Sequence, residues 1–145
     1  MTVDRTHRRP RRVWLCLGAF AATAAIVAAL LVAKVPARAN DLLLIYVGAD
    51  DCAPCRAWQS GEGAEFRKSA EFDRIFYREV KSPRLRDVLN DEHWPDDIRA
   101  WRSRLKRSDG VPLWLIVSGN DVVAQRHGAA AWRASVMPTL RSHLR

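Results

Sequence analysis

Two of the three cysteines in this 145-residue chain lie close together, in the run Cys52-Ala53-Pro54-Cys55. Thiols at this spacing can close a small disulfide across one helical turn while the first sulfur stays exposed, as thiol–disulfide exchange requires. The thiolate is the attacking form, and a helix N-terminus favours it through unpaired backbone N–H groups and the macrodipole. Cys52 is therefore the expected nucleophile, and Cys55, one turn further in and more buried, the expected resolving thiol. Pro54 suits a first helical turn, where its missing N–H costs nothing. A purely structural clip would gain little, because so short a loop removes little entropy from the unfolded chain. A zinc site of this type needs a second Cys or His pair, whereas His93, His127 and His143 are isolated in sequence. Copper handling by two thiolates and one histidine stays open as an alternative.

The elements that must position the pair can be read on either side of it. Leu42-Leu43-Leu44-Ile45-Tyr46-Val47 is an unbroken apolar run, expected to be a strand buried on both faces, and Gly48-Ala49-Asp50-Asp51 turns it into the cysteine helix. Trp58 is expected in the core rather than on the rim of the site. After the interruption at Gly61-Glu62-Gly63, Phe66, Phe72, Ile75 and Phe76 lead through a short helix into a second, parallel strand near 75–80. Residues 83–108 read as one or two helices. Pro95-Asp96-Asp97 is the start of one, Ile98, Trp101 and Leu105 form its apolar stripe, and Arg102, Arg104, Lys106 and Arg107 form a solvated basic close. A second apolar strand at 113–117, a tight turn at Ser118-Gly119-Asn120-Asp121 and a strand over 122–125 form a hairpin. The last helix carries Trp132, Val136 and Leu140 on one face and should kink or restart at Pro138.

A buried strand, Cys-Ala-Pro-Cys opening a helix, Trp58 three residues on, and Gly110-Val111-Pro112 before a second apolar strand together resemble the thioredoxin superfamily. The resemblance covers roughly residues 42–145. It implies an α/β fold, a thioredoxin-like three-layer α/β/α sandwich with a four-stranded mixed sheet, and thiol–disulfide oxidoreductase activity through Cys52 and Cys55 without an organic cofactor or metal. It also implies that Pro112 is a cis-proline beside the cysteines which, with Val111 before it, helps to hold extended substrate chains. Two positions depart from the family pattern. Tyr46 stands where many thioredoxins carry a buried acid, and Asp51 where they carry a Trp. The strand and helix that open a full-length thioredoxin have no counterpart, which leaves the minimal core of the fold.

The chain divides by composition into a basic cytoplasmic segment (1–12), an uncharged apolar run (13–33), a linker (34–41) and the thioredoxin-like domain (42–145). The apolar run is long enough to span a bilayer, and Pro36-Ala37-Arg38-Ala39 ends in a small-x-small pattern suited to cleavage. A transmembrane anchor and a secretory signal are thus both expectations for it. Either one places the domain in the bacterial periplasm or cell envelope, held in the inner membrane through 13–33 or released after cleavage near Ala39. Cys16 lies within the run and reads as a small hydrophobe. Of the net charge of +8, residues 1–39 supply +6 and residues 40–145 only +2, so the domain lacks the overall basic balance of a nucleic-acid binder. The expected partners are protein disulfides and dithiols, together with a membrane or soluble redox partner. The opposing expectation is a noncatalytic, membrane-tethered binding or assembly factor. As to direction, Asp50 and Asp51 disfavour the Cys52 thiolate and Arg56 favours it, all weakly because exposed charges are screened. The proline of the Cys-Ala-Pro-Cys motif resembles reducing members of the family, so a reductant is expected.

Overall fold

The computed structural model describes residues 41–145. The segments expected at 1–12 and 13–33, and nearly all of the 34–41 linker, lie outside the described residues. Among the described residues, no helix is long and apolar enough to cross a membrane.

The first apolar run forms β1 (Leu42–Ala49), which lies inside a four-stranded sheet. Beside it are β2 (Phe76–Ser82), running parallel, and β3 (Leu113–Ser118), running antiparallel, with β4 (Asp121–His127) beyond β3. The order is β2-β1-β3-β4, so the sheet is mixed and its two most apolar strands hold the centre. Period-two alternation sends Leu42, Leu44 and Tyr46 to one face and Ile45 and Val47 to the other, and both faces are covered. The β3–β4 turn is shorter than a hairpin of ordinary residues would allow: Ser118 pairs directly with Asp121, and Gly119 takes the positive φ (58°) that this requires. A register shift at Ile116/Val117 leaves an extra residue on β4, with Ala124 opposite Ile116 and Val122 opposite Val117, and Val123 between them is exposed.

One face carries the α-helices. These are α1 (Ala53–Ser60), α2 (Glu62–Phe66) and α3 (Met137–His143), the last entered through a π-helical turn over Trp132–Val136. Gly61 separates α1 from α2, and Pro138 sits in the first turn of α3, where the expected restart falls. Between sheet and helices lies an aromatic core. Trp58 stacks on Tyr46 with ring centroids 4.5 Å apart and meets Trp114 and Trp132 edge-on at 5.4 and 5.0 Å. Trp58 is thus a core residue.

The other face differs from expectation. Residues 83–108 contain no α-helix; three 3-10 turns, Leu85–Asp87, Asp91–His93 and Arg99–Arg104, cross the sheet instead. The groups expected to open a helix are committed elsewhere. Asp97 accepts from Arg78 of β2 at 2.7 Å, Asp96 pairs with Arg99, and the Pro95 carbonyl accepts the Ile98 N–H in an i→i+3 bond. Each turn delivers its own anchor to the sheet, with Val88, Trp94, Ile98 and Leu105 all buried, and the Trp94 indole donates to the Val88 carbonyl at 2.9 Å. Separately seated large side chains override the helical pattern of the sequence.

Candidate functional site

The cysteines sit where β1 gives way to α1. Cys52 is extended (φ −93°, ψ 107°) and caps the helix: its Sγ accepts the Cys55 N–H at 3.2 Å, and its carbonyl accepts the Arg56 N–H at 3.1 Å. Pro54 occupies the first turn. The two cysteines form a disulfide, with Cα atoms 5.2 Å apart. Cys52 is 8% exposed and Cys55 1%, so both are buried, contrary to the expectation of an exposed first sulfur, and Cys52 is the less buried of the two.

The opposite wall is the chain entering β3. The Val111–Pro112 peptide bond is cis. Val111 packs against Ala49, Cys52 and Cys55, and its carbonyl oxygen lies 4.0 Å from Cys52 Sγ. The Pro112 carbonyl is turned to the start of the last segment, where the Gly128 N–H donates to it at 2.8 Å. Val111 is therefore brought against Cys52 and Cys55 from almost sixty residues away, and Pro112 follows it through the cis bond into β3.

The charged neighbours are engaged structurally. The Arg56 guanidinium donates to the Asp50 carbonyl, and the Asp50 N–H donates to the Ser82 carbonyl at 2.9 Å, knitting together the ends of β1 and β2. Asp51, exposed as expected, accepts the Leu85 N–H at 2.7 Å and so ties the first 3-10 turn to the cysteine loop. Among the described residues, no group of three or more His, Cys, Asp or Glu side chains could hold a metal ion.

Tyr46, which stands in place of a buried acid, lies behind the pair. Its hydroxyl is 3.5 Å from the Cys55 carbonyl, to which it donates, and burial pushes its pKa up to about 12, so it is a neutral group at physiological pH. The phenol fits because residue 48 is glycine. Gly48 follows two residues along the same face of β1, and a Cβ there would fall 2.3 Å from the Tyr46 hydroxyl oxygen. Next to it, Glu79 of β2 gathers Tyr77 at 2.7 Å, Arg67 at 3.3 Å and Lys81 at 3.4 Å, and Arg67 also reaches Gln59 of α1. Sequence reasoning missed this cluster and the role of Gly48. The available signal was the period-two relation between Tyr46 and Gly48 on a strand already read as buried.

No protein-family model matches the chain, and no curated protein matches it in sequence. Its architecture is nevertheless similar to solved thioredoxins. Thioredoxin of Malassezia sympodialis (Mala s 13) superposes with a TM-score of 0.50 at 11% identity, over 73% of this chain and 80% of that one. Oxidised thioredoxin of Plasmodium falciparum gives 0.49 at 12% identity, covering 73% and 84%. Thioredoxin f2 of Chlamydomonas reinhardtii gives 0.48 at 13%, covering 72% and 80%. The fold is thioredoxin-like, with a Cys-x-x-Cys disulfide at the N-terminus of its first described helix.

Proposed function

We propose that this protein is an exported thiol–disulfide oxidoreductase that acts on protein disulfides, working as a reductant. The observation that carries the reading is the redox pair itself: a Cys52–Cys55 disulfide capping α1, with Cys52 the less buried cysteine and the Val111 carbonyl beside it. In the reduced protein the Cys52 thiolate attacks one sulfur of a substrate disulfide and displaces the other as a thiolate. Cys55 then attacks Cys52, releasing the second substrate thiol and closing the enzyme disulfide, so that two electrons pass to the substrate. A dithiol donor, soluble or in the membrane, returns the two electrons. Val111 and Pro112 hold the extended substrate chain beside Cys52. The basic and apolar N-terminal segments support placement in the bacterial periplasm or cell envelope, whether the apolar run is retained as an anchor or cleaved near Ala39.

A second reading, a noncatalytic membrane-tethered assembly factor, draws on the low exposure of Cys52. Turnover separates the two. The full chain with dithiothreitol should reduce insulin, Cys52→Ser should abolish this, and glutathione equilibration should give a potential near or below about −200 mV. A potential near −120 mV would reverse the direction. No turnover, with a bond that resists reduction, would favour the assembly factor.

A further inference from the structure

A groove of about 720 Å³ opens on the 3-10 side of the sheet and reaches Asp51 and Val111, the neighbours of the disulfide. Val111 is the shared wall, lining the groove while its carbonyl oxygen lies 4.0 Å from Cys52 Sγ. The floor is apolar, formed by Val47, Val88, Leu105 and Leu113, and Leu85 on the rim is half exposed (49%) although its backbone N–H is held by Asp51. Four basic side chains stand around this floor: Arg84, Arg86, Lys106 and Arg107. Two carboxylates also line it, Asp51 accepting the Leu85 N–H and Asp109 the Lys106 N–H and the Gln125 amide, so the lining carries four positive charges against two negative ones. Arg86 pairs with Asp87 at 3.7 Å and Arg107 donates to the Arg86 carbonyl. Arg84 and Lys106 extend side chains that form no ion pair or hydrogen bond within the described residues, and both are exposed.

The positive charge is local, since residues 40–145 as a whole carry only +2. The excess of basic residues lies along the groove beside Val111, where a substrate chain passing Cys52 would run. We infer that the groove selects its polypeptide substrates by charge, taking an extended segment that carries Asp or Glu beside an apolar side chain close to the disulfide to be exchanged. The apolar residue fills the floor formed by Val88, Leu105 and Leu113, under Leu85 on the rim, and the carboxylates meet Arg84 and Lys106. The inference rests on the proposed exchange reaction and names its substrate class.

The test uses the full chain and two synthetic peptides with the same internal disulfide, one flanked by Glu-Leu-Glu and the other by Lys-Leu-Lys. The acidic peptide should be reduced with kcat/KM about tenfold higher, as two partly screened ion pairs would provide, and the gap should close in high salt. The double variant Arg84→Glu/Lys106→Glu should lose or invert the preference while reducing the small neutral hydroxyethyl disulfide as the wild type does. Equal kcat/KM for the two peptides, or a preference that survives the double variant, would overturn the inference. If no disulfide is turned over, not even hydroxyethyl disulfide, the exchange reaction itself fails. Fluorescence anisotropy of a cysteine-free acidic peptide then decides the groove separately: tighter binding than the basic peptide, weakened about tenfold in the double variant, upholds charge selection, and equal binding rejects it.

Discussion

Replacing Gly48 with alanine adds one methyl group to the middle of the sheet, and the structure says what it must displace. The new Cβ would lie 2.3 Å from the Tyr46 hydroxyl oxygen, 2.7 Å from Cζ and 3.0 Å from Cε1. Ordinary contact begins near 3.4 Å, so the end of the phenol has to withdraw by about 1 Å. It has little room to do so, because Tyr46 is 1% exposed and its ring is stacked on Trp58 at 4.5 Å. Overpacking of a close-packed core typically costs 1–3 kcal/mol, and a rigid aromatic on a central strand should fall at the upper end, about 2–3 kcal/mol. Tyr46→Phe removes the worst contact but leaves Cζ, so the double variant Tyr46→Phe/Gly48→Ala should recover about 1 kcal/mol of that loss. Tyr46→Phe alone, which gives up a long hydrogen bond to the Cys55 carbonyl and the interaction of the hydroxyl with Gln59, should cost about 1 kcal/mol. Urea unfolding of the oxidised proteins, followed by tryptophan fluorescence, measures all four corners of the cycle. A Gly48→Ala protein within about 0.5 kcal/mol of wild type, or a cycle without coupling, would refute the claim that the glycine exists to admit the phenol.

Other expectations concern pH. Tyr46 and Tyr77 are the chain's two tyrosines, and burial raises both pKa values, Tyr46 to about 12 and Tyr77 higher still with help from its bond to Glu79. At pH 11 the folded protein should therefore show no more than about a tenth of the Tyr46 phenolate and essentially none from Tyr77. Because the folded pKa values are raised, the stability they contribute is full below about pH 10 and is lost as pH climbs towards and beyond 12. Phenolate appearing near pH 10 without unfolding would contradict this burial. At the acid end, the hydrogen bond from Arg141 holds the Glu71 carboxyl below its ordinary value. That contribution is present above the ordinary glutamate range and fades as pH falls through the depressed value. Arg141→Ala should remove it, at no more than about 0.5 kcal/mol at neutral pH because the pair is solvent-screened, and the deficit should vanish by about pH 2 in denaturant titrations.

Part of the site was legible in the sequence because the cysteines and the strand before them carry local signals. Cys52 and Cys55 are one turn apart, the strand before them is an unbroken apolar run, and the resemblance to the thioredoxin superfamily, rather than any local signal, puts Val111-Pro112 opposite them. The hairpin around Gly119 and the restart at Pro138 are likewise set by single residues with strong backbone preferences. The layer over 83–108 was not legible. Ile98, Trp101 and Leu105 have helical spacing, yet their neighbours are committed to β2 and to i→i+3 bonds, a tertiary choice that spacing alone does not contain. Reading Lys106 and Arg107 as the solvated end of a helix also hid their position on the rim of a groove. Tyr46 was seen as a departure from the family pattern, but its accommodation by Gly48 and the charged cluster centred on Glu79 depend on contacts between strands.

In the proposed reaction Cys52 exchanges disulfides and Cys55 resolves the product. Its most direct test is to mix reduced Cys55→Ser protein with a disulfide-containing polypeptide and look for a covalent adduct by nonreducing electrophoresis and mass spectrometry. A stable mixed disulfide mapped to Cys52, absent from Cys52→Ser and released by dithiothreitol, is the expected result. No adduct at Cys52, with an accessible substrate disulfide left intact, would contradict it.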